Sequence, residues 1–195
     1  MKFDIIPVWK QVTPELTEEL VAFWKDNNAI AADGIARRRS EQVICVARDE
    51  KGEICGVGTA MVRILPRLRQ PMYYFRQFFA KRVRGQQHFI PFYQECRRVL
   101  EEANAGTKKP EALGLLVEVE NSKLSSAYKH AYEPDFEMTF IGYSPRGMPL
   151  YVSYFKGVVL LPPSPVRMPA AIPPGARARK RVMPMQPTAR QTGRN

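Results

Sequence analysis

Residues 72–87 read Met72-Tyr73-Tyr74-Phe75-Arg76-Gln77-Phe78-Phe79-Ala80-Lys81-Arg82-Val83-Arg84-Gly85-Gln86-Gln87. The aromatic, β-prone half from Met72 to Ala80 predicts a strand, and it runs straight into a basic turn with one glycine. Beyond the turn the pattern predicts a helix to about Ala103, with Pro91 in its first turns. A glycine-bearing turn between a strand and a helix lets backbone N–H groups point outward together at the positive end of the helix dipole. Gly85 supplies the missing side chain that allows a pyrophosphate to approach the backbone there. The same six residues, Arg82 to Gln87, also read as an ordinary basic surface turn. What separates the two readings is the setting.

That setting is a window without acid. Between Ile54 and Gln94 there is no Asp or Glu, while Arg63, Arg67, Arg69, Arg76, Lys81, Arg82 and Arg84 give a charge of +7. The whole chain of 195 residues carries 30 Lys plus Arg against 19 Asp plus Glu, a net charge of +11. A second +7 lies in Pro162–Asn195, which has eight prolines, six arginines, one lysine and no acidic residue; everything else sums to −3. A segment so poor in apolar periodicity cannot offset its ordering entropy, so residues 162–195 are expected to form a disordered or polyproline-like tail after a single domain at 1–161. Charge of this size predicts attraction to anions such as phosphates, nucleic acid or acidic surfaces.

Apolar residues make up 45% of the chain, enough for one packed core. Cys45, Cys55 and Cys96 are an odd set without CxxC spacing, which argues against a disulfide framework or a zinc site and makes a reducing, cytoplasmic setting the default. His88 and His130 have no paired spacing, so no metal is expected. No apolar run approaches the roughly 18 residues a bilayer span needs, and the first ten residues lack a signal-peptide pattern.

Working outward from the turn, Phe3 to Trp9 predicts a first strand, and Thr13-Pro14 an N-cap with proline at the first helical position. Leu16, Leu20, Phe23 and Trp24 recur at helical spacing behind it. A second helix is expected at about Ile30 to Arg38, then strands at Gln42 to Arg48 and Glu53 to Leu65 around the Asp49-Glu50-Lys51-Gly52 turn. Leu113 to Val119 predicts a buried fifth strand, Ser122 to Tyr132 a helix, and Met138 to Tyr143 with Leu150 to Lys156 a closing hairpin. The fold class is mixed α/β without internal repeats.

Arg82, Gly85 and their spacing resemble the signature turn Q/R-x-x-G-x-G/A of the GNAT superfamily of N-acetyltransferases, with Gln87 in the last position instead of Gly or Ala. The predicted order of elements is similar to that family over about residues 3 to 157. Asn121 at the end of the fifth strand and Tyr128 seven residues later resemble a second family feature. The family's usual Gly-Phe after that helix is replaced by Tyr132-Glu133-Pro134-Asp135-Phe136. The resemblance implies a mostly antiparallel central sheet flanked by helices. It also implies binding of acetyl-coenzyme A as co-substrate, its pyrophosphate held by backbone amides of about Val83 to Gln87 (Val83, Arg84, Gly85, Gln86, Gln87) with Arg82 and neighbouring cations facing the phosphates, and Asn121 beside it.

Acetyl transfer needs a neutral amine, a polarised thioester carbonyl and a proton donor for the leaving thiolate. Tyr128 is the candidate donor and Tyr132 its alternate; the plainer role for Tyr128 is packing a helix face. Family members often carry a Glu on the fourth strand, and Met72 to Ala80 has none. Glu118 and Glu120 are the nearest candidates for a base, and their mutual repulsion is expected to raise one pKa; as solvated strand-end carboxylates they would do neither, and water alone would then take the proton. The amine acceptor, small or macromolecular, is not legible. Two other readings stay open: a nucleic-acid- or ribosome-associated binding protein using the basic window and tail, and a family member that binds the cofactor without turnover. The tail is expected to meet an acidic or nucleic-acid-bearing partner; no membrane association is expected.

Overall fold

The computed structural model describes residues 3–85 and 88–165. Strand β1 (Phe3–Pro7) is followed by helix α1 (Pro14–Asp26) and helix α2 (Asp33–Ser40). Thr13 caps α1, accepting the Leu16 N–H at 3.2 Å, with Pro14 in the first turn where no N–H is needed. The apolar stripe of α1 buries Leu20, Val21, Phe23 and Trp24. Strands β2 (Val43–Asp49), β3 (Ile54–Ile64) and β4 (Pro71–Phe79) form an antiparallel meander. A 3-10 turn at Lys81–Val83 leads towards helix α3 (Phe89–Asn104), in which Pro91 occupies the first turn without interrupting it.

Helix α3 is the crossover that lets β5 (Gly114–Glu118) lie parallel to β4. After it come helix α4 (Ser122–Ala127), the two-residue strand β6 (Tyr132–Glu133), a 3-10 turn at Pro134–Phe136, and strands β7 (Met138–Tyr143) and β8 (Pro149–Tyr154). The sheet order is β1-β2-β3-β4-β5-β8-β7-β6, and β4–β5 is its parallel pair. A mixed α/β domain with a mostly antiparallel sheet is therefore what the chain forms.

Alternation along β4 sets the two faces. Phe75 meets Tyr93 and Phe79 meets Phe92, both on α3, at centroid distances of 5.5 and 5.1 Å. Phe78 points the other way, 5.9 Å from Phe23 of α1. The main core joins both layers through Leu20, Ile44, Val57, Phe92 and Leu115. A smaller core of Met72, Tyr74, Leu113, Leu116, Leu150 and Val152 is covered by Leu65, Leu68 and Leu161. Cys45 on β2 and Cys55 on β3 are buried free thiols, as expected of small core residues.

Helix α2 starts at Asp33, later than the expected Ile30, and two further differences stand out. Helix α4 ends at Ala127, five residues early, because the Tyr128 carbonyl accepts the Tyr151 hydroxyl and the His130 N–H goes to the Glu133 carboxylate. The packed part also runs past Leu161: Ser164 donates to the Arg69 carbonyl and accepts from Arg69 Nε, each at 2.9 Å. The rest of the expected disordered tail, residues 166–195, lies outside the described residues. None of the described helices is long and apolar enough to cross a membrane.

Candidate active site

Tyr73, Tyr74 and Phe75 of β4 pair with Leu115, Leu116 and Val117 of β5, and there the pairing stops. From Arg76 onward β4 pairs with β3 alone, and Glu118 of β5 pairs with Leu150 of β8. The strands part, and the split opens into a cavity of about 490 Å³. Its walls come from β4 (Phe75 to Phe78), from β5 and the residues after it (Val117 to Asn121), from the first turns of α3 (Phe89, Tyr93), and from Arg39 on α2. Tyr128, Glu133, Phe136 and Tyr151 close the α3 side. Arg76 Nε and Gln77 Oε1, on two lining residues, are buried without a hydrogen-bond partner. A strand edge without a neighbouring strand is a ready template for an extended, amide-bearing ligand.

Glu118 and Glu120 both line this cavity, and both meet the Arg146 guanidinium, at 2.8 and 2.6 Å. The Glu118 side chain is 8% exposed and also accepts the Tyr74 hydroxyl at 2.6 Å. Burial pushes its carboxyl up, but hydrogen bonds from Arg146, Ser144 and Tyr74 outweigh burial and hold it at about 2. The expectation that repulsion raises the pKa of one of this pair is therefore corrected: Arg146 sits between them and cancels the repulsion. A carboxylate that binds protons so weakly is a poor base at neutral pH.

Sequence reasoning missed Glu133. It is 5% exposed, lines the cavity and accepts the His130 N–H at 2.9 Å. Among the described residues no cation pairs with it. Its charge, after burial and Asp135, holds the Tyr128 phenol above its ordinary value, and it acts likewise on Tyr151. No local pattern marks it, because its burial depends on α4 stopping at Ala127.

Tyr128 lines the cavity from the C-terminal cap of α4, not from within a longer helix. Phe136 and Phe89 hold its ring edge-on, at 5.2 and 5.9 Å. Tyr132, the alternate donor, stands on β6 with 53% exposure and is not part of the cavity wall. Asn121 lines the cavity and caps α4: its side-chain oxygen accepts the Lys123 and Leu124 N–H groups at 2.9 and 3.3 Å.

The turn itself needs two corrections. The Val83 and Arg84 N–H groups donate within the turn, to the Ala80 and Lys81 carbonyls, because Lys81–Val83 coils as a 3-10 helix. Arg82 does not face outward as a phosphate ligand: it reaches back to Asp49 at 2.8 Å, whose side chain is 7% exposed, and to Glu53. Gly85 does adopt a φ of +85°, with open space where a Cβ would stand. Gln86 and Gln87 lie outside the described residues.

Nor do the other cations of the window gather at the turn. Arg67 donates to the Ile141 and Tyr143 carbonyls, Arg69 holds Ser164, and Arg63 and Arg76 lie on the Tyr74 ring. Arg84 bonds the Phe79 carbonyl and covers the Phe78 ring.

No family model and no curated protein matches the sequence. Solved structures do match the fold. An acetyltransferase of the GNAT family from Streptococcus pneumoniae superposes with a TM-score of 0.50 over 77% of this chain and 96% of its own, at 13% identity. Another from Staphylococcus aureus superposes with a TM-score of 0.50 over 80% of this chain and all of its own (100%), at 16% identity. The fold is the GNAT fold. The cavity occupies the split between β4 and β5 of this fold and reaches the first turns of α3.

Proposed function

We propose that the protein is an acetyl-coenzyme A dependent N-acyltransferase. The observation that carries this reading is the split itself: an unpaired β4 edge leads past Gly85, with its open positive-φ backbone, to the start of α3, and a half-buried phenol stands in the same cavity. An extended thiol arm fits along that edge, with its phosphates towards Gly85 and exposed Lys81. Acetyl-coenzyme A supplies an activated acyl group. The amine nitrogen forms a bond to the acyl carbon, the carbon–sulfur bond breaks, and the Tyr128 hydroxyl protonates the departing sulfur. Glu133 is a positioning residue, since its charge keeps that phenol protonated. Solvent takes the amine proton, because Glu118 is held as a weak base and Glu120 shares its arginine. The chain's +7 beyond residue 161 steers the enzyme towards an acidic or nucleic-acid-bearing partner.

Amine-dependent release of free coenzyme A thiol tests this. Release that saturates with amine supports transfer; thiol release at the buffer rate with every amine, despite tight cofactor binding, would leave a binding protein without turnover.

A further inference from the structure

We infer that the acceptor is a small amine bearing an oxyanion, a carboxylate or a phosphate, and that Arg39 and Arg76 hold this group on the α1–α2 side of the split. The inference rests on the acyl-transfer reading and names its substrate class. Arg76 follows the last β4 residue paired with β5, and Arg39 comes from the last turn of α2; both line the cavity. Neither meets a carboxylate among the described residues, and Arg76 Nε is buried without a partner. Arg76 stacks 4.7 Å from the Tyr74 ring centroid, and exposed Arg63, outside the cavity wall, stacks 4.5 Å from the same ring.

The carboxylates that face this group are already committed. Glu118 accepts Tyr74 and Arg146, and Glu120 accepts Arg146, so beyond Arg146 these two acids leave one negative charge against the two cavity cations Arg39 and Arg76, and neither cation pairs with it directly. Burial and the charges of Arg76 and Arg63 push Arg39 below its ordinary value, while Tyr74 and Glu120 oppose this only in part. Two half-buried cations that share one indirect negative charge are costly, and the charge they lack is one that a ligand brings. Guanidinium forks match a carboxylate or phosphate in two-point geometry. A polyamine would meet the same cations with like charge, which selects against it.

The test compares acceptors in pairs differing by one anionic group: phenylalanine with phenylalaninamide, and O-phosphoethanolamine with ethanolamine, with spermidine as the polycation. Thiol release at fixed acetyl-coenzyme A is expected to give the charged member at least a tenfold higher kcat/KM, and the two pairs tell carboxylate from phosphate. Arg39→Gln and Arg76→Gln are expected to shrink that ratio towards one, chiefly through KM. A neutral amine or spermidine used as well as the anionic amines overturns the inference and leaves acyl transfer standing. Should no amine be acetylated, calorimetric titration of the same pairs decides: preference for the charged member, lost in both variants, supports the oxyanion site while removing the transfer reading, and equal or absent binding overturns the site.

Discussion

At the scale of single residues, the proposed transfer rests on Tyr128 as proton donor. Tyr128→Phe removes the proton donor while keeping the ring between Phe89 and Phe136, so kcat is expected to fall by about a hundredfold with KM for acetyl-coenzyme A little changed. Glu133→Gln removes a charge that holds the phenol protonated, so the alkaline fall of the pH–rate profile moves to lower pH; an unmoved limb would detach Glu133 from Tyr128. Glu118 acts on stability. Its folded-state pKa of about 2 lies below the usual 4.5, so its contribution is complete above pH 4.5 and is lost as the pH falls towards 2. Because Arg146 is more than half exposed, that contribution is discounted to about 1–2 kcal/mol. Glu118→Gln is expected to unfold earlier in urea at pH 7 by this amount, and the gap should close by pH 2.

At the scale of elements, the closing hairpin β7–β8 is held from outside by an arginine of the acid-free window. Arg67 Nη1 and Nη2 donate to the Ile141 and Tyr143 carbonyls at 2.7 and 2.9 Å, and a Cβ at Gly142 would collide with its guanidinium. Charge-assisted bonds to carbonyls are worth about 1.5–3 kcal/mol each before screening. Arg67→Ala is expected to lower Tm by several degrees with acetyl-coenzyme A affinity unchanged; weaker cofactor binding at constant Tm would contradict this structural role. Periodicity made α1, α3 and every strand longer than two residues legible, because burial on one face is a local pattern. Where each arginine of the acid-free window goes was not legible, since Arg67 meets carbonyls 74 and 76 residues away and Arg82 meets Asp49 across a hairpin. The Gly85 turn could be found because glycine marks a backbone need; Glu133 could not, because its burial depends on α4 stopping early.

Across the whole molecule, charge is unevenly distributed. Residues 1–165 carry a net +4, and the remaining +7 lies in residues 166–195. Removing 166–195 is expected to leave transfer to small amines intact and to weaken activity on an acidic or nucleic-acid-bearing target, more so at low salt; equal loss on both would refute this division. The split sheet is the centre of the proposal, and its content is a cofactor site. Calorimetric titration with acetyl-coenzyme A and with its 3′-dephospho form, at two salt concentrations, measures that directly. One-to-one binding that persists at the higher salt, with a modest loss for the dephospho form, is the expected result; no binding of either form at either salt would contradict it.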